Sequence, residues 1–109
     1  MTKEDKIVLA NECEIATNET FLKLLGITLE SEYFKNIPKQ SLILALGVPL
    51  KGALYNYMNR SEYGEEMARL FKEENVQGIR EFHTKFLTKH APEAIREVLA
   101  VYHPQYRPL

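Results

Sequence analysis

Apolar side chains recur along this chain every three to four residues, the spacing of one face of an α-helix. Val8, Leu9, Cys13, Ile15 and Ala16 follow that spacing. Thr2 is placed to cap this first helix, with Asp5 three residues on. Thr17 or Asn18 can cap a short second helix through Phe21, Leu24 and Leu25. Gly26 ends it by tolerating the left-handed conformation that closes many helices. Thr28 opens the next helix, through Leu29, Tyr33 and Phe34. Pro38 stops it, because the residue before a proline is driven out of helical angles. Pro38 also suits the first turn of a helix running to Leu46, apolar nearly all round and so expected to be the most buried. Gly47 ends that one. Pro49 starts a longer helix with Leu50, Ala53, Leu54, Tyr57 and Met58 on one face. Met67, Ala68, Leu70 and Phe71 continue it to residue 74, unless Asn59, Ser61 and Gly64 break it with Ser61 as a fresh cap. Asn75 caps a helix striped by Val76, Ile79, Phe82, Phe86 and Leu87. Ala91-Pro92 ends it and starts the last helix, with Ile95, Val98, Leu99 and Tyr102 inward.

The pattern predicts an all-α fold, a compact helical bundle of about five to seven helices joined by short connections. It forms a single domain over residues 1–102, followed by a flexible tail over residues 103–109. No stretch alternates apolar and polar residues long enough for a sheet. An apolar fraction of 45% at low net charge excludes a disordered chain. The single cysteine, Cys13, rules out an internal disulfide and a cysteine-held zinc. With no signal-peptide layout at Met1–Lys6, a cytoplasmic location is expected.

Net charge is −1, but its distribution changes the picture. Residues 1–34 hold three lysines against seven acids, whereas residues 35–60 hold Lys35, Lys39, Lys51 and Arg60 with no acid. An acid-free stretch of this kind suits a partner of opposite charge.

That stretch also contains the sharpest local motif. Residues 41–60 read as an apolar helix, a tight turn at Gly47-Val48-Pro49, and a helix with Lys51, Tyr55, Asn56, Asn59 and Arg60 on its polar side. A helix-turn-helix DNA reader needs these parts: a bracing helix, a turn and a second helix that enters the major groove. Lys51-Gly52-Ala53-Leu54-Tyr55-Asn56-Tyr57 resembles the recognition helix of tetracycline-repressor-like regulators over those seven residues. The likeness departs at the turn, where Pro49-Leu50 adds a residue, and the preceding helix lacks the small residue expected at its inner face. No family is assigned on it.

Candidate chemistry is sparse. His83 and His90 share a helix face but stand seven residues apart, not the i,i+4 of a helical metal pair. A third ligand would have to come from Glu93 or His103. Glu12 and Glu14 flank Cys13 and oppose thiolate formation. Glu65-Glu66 and Glu73-Glu74 lie in a charged surface stretch beside Arg69 and Lys72. The five glycines are isolated, so no phosphate-cradling loop is present. Neither metal, cofactor nor catalytic residue is expected, and the chain is read as a non-enzyme.

Six tyrosines shift the balance towards recognition. Tyr55, Tyr57 and Tyr63 cluster, and no single helix can turn all three inward. Exposed tyrosine supplies interface area at low entropy cost. The expected function is a non-catalytic regulatory or adaptor protein that binds another protein. Its contact surface is Lys51, Tyr55, Asn56, Asn59, Arg60, Tyr63 and Glu66. The alternative is a helix-turn-helix transcriptional regulator that binds DNA through residues 41–60. Self-association through a shared apolar face is a further expectation.

Overall fold

A computed structural model describes residues 1–28, 30 and 36–102. Among them the regular elements are four α-helices, with no strand: α1 (Lys3–Thr28), α2 (Lys39–Arg60), α3 (Tyr63–Lys72) and α4 (Val76–Tyr102). The all-α class is as expected. The count of five to seven is not, because three expected boundaries are absent. The helix expected from Thr28 through Phe34, and the tail over 103–109, lie outside the described residues.

The first missing boundary is at Thr17. Instead of capping a new helix, its hydroxyl donates to the Cys13 carbonyl at 2.9 Å, within α1. Thr20 and Thr28 bond back to Ala16 and Leu24 in the same way. The inward stripe of α1 is Leu9, Thr17, Phe21 and Leu25, with Cys13 half-buried between them. Val8 and Ile15, expected on that face, are more than half exposed.

The second missing boundary is the turn at Gly47-Val48-Pro49. Residues 39–60 form one helix, with Pro49 inside it. Leu46, Leu50 and Leu54 explain why, since they sit four residues apart and are 0%, 1% and 2% exposed. Burying three leucines contributes about 1.5–3 kcal/mol each. An interior proline costs about 3 kcal/mol, so the continuous stripe wins. The same comparison removes the third boundary. Ala91, Ala94, Ile95, Val98 and Leu99 are all buried, and α4 runs through Pro92 without ending.

Other local signals hold. Asp5 N–H donates to Thr2 Oγ1 and Thr2 N–H donates to the Asp5 carboxylate, both at 3.0 Å, a reciprocal capping box. Gly78 N–H donates to Asn75 Oδ1 at 2.9 Å, so Asn75 caps α4. The chain does break after Arg60. Ser61 Oγ donates to the Met58 carbonyl and accepts from Tyr63 N–H at 3.3 Å.

α4 is the hub, packing on α1, α2 and α3. The larger core cluster joins Phe21 and Leu25 of α1, Leu46, Leu50 and Leu54 of α2, and Phe86 to Leu99 of α4. A smaller one joins Leu9, Leu70 and Ile79. The molecule measures 48 × 24 × 18 Å. Its thin dimension is less than two helix diameters of about 10–12 Å, so helices in it keep one side uncovered.

Replacing Pro92 by alanine restores the missing N–H and removes the ring clash. Stability rises by about 1–3 kcal/mol, the interior-proline cost less the entropy that proline removes from the unfolded chain. Urea unfolding of Pro92→Ala tests this, and an unchanged or lower midpoint contradicts it.

Candidate functional site

Between the two core clusters the apolar packing is interrupted by one buried histidine. His83 is 4% exposed. It stands on α4 one residue after Phe82, and three elements converge on its ring. Tyr63, at the start of α3, lies 2.8 Å from Nδ1. The Cys13 carbonyl and Thr17 Oγ1, both from α1, each lie 3.0 Å from Nε2.

The network assigns the proton. A carbonyl can only accept, so Nε2 carries the hydrogen and donates towards Cys13. Nδ1 is then the acceptor, and the Tyr63 hydroxyl donates to it. Every polar atom of the ring is satisfied without charge. Burial keeps His83 below the usual histidine range, against a smaller opposing effect of the Cys13 hydrogen bond. Burial likewise holds the Tyr63 phenol far above its usual range, so it stays protonated. Burial first, and the Glu12 carboxylate second, push the Cys13 thiol up. All three shifts preserve the neutral form, and for the Cys13 thiol and the Tyr63 phenol that opposes formation of the anionic nucleophile.

This network forms one wall of a cavity of about 300 Å³. Its apolar lining is Leu54, Met58, Met67 and Phe71, from α2 and α3. At the edge, Lys51 of α2 meets Glu14 of α1 at 3.4 Å, with both side chains substantially exposed. Tyr55 lies beside them, 58% exposed. A second, smaller depression follows between α1 and α2, past Asn18, Leu22, Ile43 and Gly47, and shares Lys51 with the first. One groove therefore runs along the junction of α1 and α2. Two flexible methionines in it suit shape-adaptable apolar contact.

The expected contact residues divide between two places. Lys51, Tyr55 and Tyr63 meet at the cavity. Asn59 is exposed on α2. Arg60 lies 5.1 Å from the Tyr57 ring centroid and donates from Nε to the Asn56 carbonyl. Tyr57 stacks on His90 at 4.8 Å and donates to Glu97. Glu66 is paired with Arg69 on α3. The aromatic rings continue from His90 through Phe86 to Tyr63, at 4.6 Å per step, linking this second place to the cavity. The break at Ser61 is what lets Tyr57 and Tyr63 both turn inward while Tyr55 stays out.

His83 and His90 engage different neighbours, and His90 faces Glu93 at 3.3 Å. Among the described residues no three His, Cys, Asp or Glu side chains gather in a metal-binding cluster. His103 lies outside them. The brace-and-reader pair of a helix-turn-helix is not formed between residues 41 and 60, since both parts belong to one continuous helix, α2.

Sequence reasoning missed Thr17, Glu14, Met58 and Met67 as parts of the site. Thr17 had a usable signal: it falls midway between Leu9 and Leu25 on the i,i+4 stripe of α1. Glu14 had none, because its partner is 37 residues away. Comparison with protein-family models, with characterised proteins and with solved structures finds no match.

Because the folded pKa of His83 lies below the 6.5 of its unfolded value, the unfolded chain binds its proton first as pH falls. The contribution is complete above 6.5 and is lost as pH drops from there through the folded value, at no more than about 1.4 kcal/mol per pH unit. The lowered carboxyl groups of Asp5, Glu66 and Glu74 act in a separate, more acidic window, below the ordinary carboxyl values of 3.8 to 4.5. Unfolding midpoints measured from pH 7 to pH 5 therefore fall for the wild type and stay flat for His83→Gln. Equal slopes would exclude His83 as the cause. Tyr63→Phe leaves Nδ1 without its donor and costs about 1–3 kcal/mol at neutral pH. Equilibrium denaturation reads that loss directly.

Proposed function

We propose that this protein is a non-catalytic binding module that regulates or connects other macromolecules through the outward side of α1 and α2. One observation carries the reading. Leu44 and Val48 stand four residues apart on α2 at 82% and 81% exposure, and Tyr55 extends the same line at 58%. Ile15 and Leu22, seven residues apart on α1, add 56% and 50%. Single exposed apolar residues are ordinary, but five on one side of two neighbouring helices make a patch, and patches mark binding sites.

The groove between the helices supports the same reading. It offers a protein partner a recess for an apolar anchor, edged by Lys51, Tyr55 and Glu14. Recognition of this kind rests on a few buried anchors within a polar surround. The hydrogen-bonded His83–Tyr63 pair and the raised Cys13 thiol support a binding role over a chemical one. Arg60, Asn56 and Asn59 extend the contact surface towards the C-terminal end of α2, and Glu66 flanks it on α3.

DNA binding ranks second. It retains the acid-free composition of α2 but loses the turn that would present a separate reading helix.

The Leu44→Asp, Val48→Asp double variant tests the reading. Both side chains are almost fully exposed, so the melting temperature stays within a few degrees of wild type. Capture of protein partners on an affinity column falls at least tenfold, which corresponds to about 1.4 kcal/mol. Equal capture by the variant rejects this face. A wild-type column that retains nucleic acid and releases it with salt supports the second reading instead.

A further inference from the structure

We infer that the occupant of the α1–α2 face is a second copy of this chain, with α1 of each copy laid on α2 of the other around a two-fold axis parallel to the helices. This rests on the reading of that face as a contact surface and names its partner.

Charge selects the arrangement. α1 carries five acidic residues, Glu4, Asp5, Glu12, Glu14 and Glu19, against three lysines; Glu14 lies at this face, whereas Glu12 is held by Arg80 of α4. α2 carries Lys39, Lys51 and Arg60 and no acid, with Lys51 at this face and Arg60 over Tyr57. Two copies can meet face to face about a two-fold axis in two limiting ways. An axis across the helices sets α1 on α1 and α2 on α2, which opposes like charges along both pairs. An axis along the helices sets each acidic α1 on an acid-free α2. Like-charge juxtaposition costs several kcal/mol, so the second arrangement is favoured.

The register agrees. Glu14 and Lys51 lie at one level, 3.4 Å apart at the centre of the face. An axis along the helices keeps residues at their level, so the Glu14 of each copy meets the partner's Lys51. Two ion pairs become a ring of four alternating charges. The apolar positions match at the same time. Leu22 flanks the groove at Ile43 and Gly47, so it comes over the partner's Leu44 and Val48. Ile15 adjoins Glu14 and falls between the levels of the partner's Val48 and Tyr55.

Two further observations fit. Gly47 and Gly52 lie inside α2, where each costs about 1 kcal/mol relative to alanine. Within this chain nothing lies within 4 Å of a Cβ added at either, so its own packing does not require glycine there. Close approach of a partner helix would at Gly47, which lines the groove. The area is also adequate. Two helices of about 20 residues present a face about 30 Å long and 20 Å wide. That projection, about 600 Å² before side-chain relief, approaches the ~800 Å² per partner of a standard stable interface.

Sedimentation equilibrium on the full chain is the first measurement, and a dimer in the micromolar range is expected. A monomer up to hundreds of micromolar overturns the inference. Charge reversal is the second. Glu14→Lys and Lys51→Glu each weaken self-association at least tenfold, because each puts four like charges at the centre of the dimer. Mixed together, the two variants form a heterodimer, since every cross-pair is then of opposite sign. The double variant Glu14→Lys, Lys51→Glu in one chain restores the homodimer. Failure of both the mixture and the double variant to recover the dimer overturns the α1-on-α2 arrangement. Circular dichroism melts confirm folding, and both substitutions are at substantially exposed side chains. The outcomes separate this inference from the broader reading. A monomeric chain whose Leu44→Asp variant still loses a captured partner defeats the second copy and keeps the binding face. A dimer whose Leu44→Asp variant captures other proteins as well as wild type supports the second copy and confines the face to self-association.

Discussion

The architecture depends on α4 keeping one continuous buried face from Ile79 to Leu99, apolar except at His83. α1, α2 and α3 each pack on that helix, and α2 also meets α1 and α3 only in support of it. Had Pro92 ended the helix, Ile95, Val98 and Leu99 would leave the line of Phe86 and Leu87, and the larger core cluster would divide. The price of continuity is one missing hydrogen bond in the helix interior. The burial of five side chains around it outweighs that loss. The same balance carries α2 through Pro49, so two prolines that would each stop an isolated helix are accommodated by a shared core.

A second constraint follows from where the two core clusters meet. Apolar packing is densest where α2 lies on the C-terminal half of α4, and again where α1 and α3 clasp its N-terminal half. The junction is filled by His83, Tyr63 and Thr17 instead of aliphatic side chains. Their hydrogen bonds satisfy each other and the Cys13 carbonyl, which makes a polar junction tolerable at low exposure. The cavity lies beside this junction, with His83, Tyr63 and Thr17 in its wall, and gives the α1–α2 side its recess.

The outward side of these helices reads differently from an ordinary solvated face. α1 is apolar on two sides: Leu9, Phe21 and Leu25 point to the core, and Val8, Ile15 and Leu22 do not. Helices that serve only their own core confine apolar residues to one stripe. A second stripe on α1, matched by Leu44, Val48 and Tyr55 on α2, is the feature that favours recognition over chemistry. The charge pattern of the chain belongs to the same surface. Acid on α1 and its absence from α2 place complementary fields side by side, with Glu14 and Lys51 already joined between them.

Short-range signals were legible directly from the residues. The all-helical class, the Thr2–Asp5 capping box, the Asn75 cap and the stripe of Ile79, Phe82, Phe86 and Leu87 all follow from side chains within four positions of one another. Each of those interactions is complete within one turn of helix. The continuity of α2 and α4, the inward face of α1 and the surroundings of His83 were not legible in that way. Thr17 and His83 are 66 residues apart, and Cys13 and His83 are 70 apart. Glycine and proline are scored locally, as turn residues, whereas burial is summed over partners from the whole chain. Where the sum exceeds a few kcal/mol, folding overrides the local preference. The residue pattern therefore specified which segments would be helical, and long-range packing settled where those helices end, which side each turns inward and which side chains are left to meet a partner.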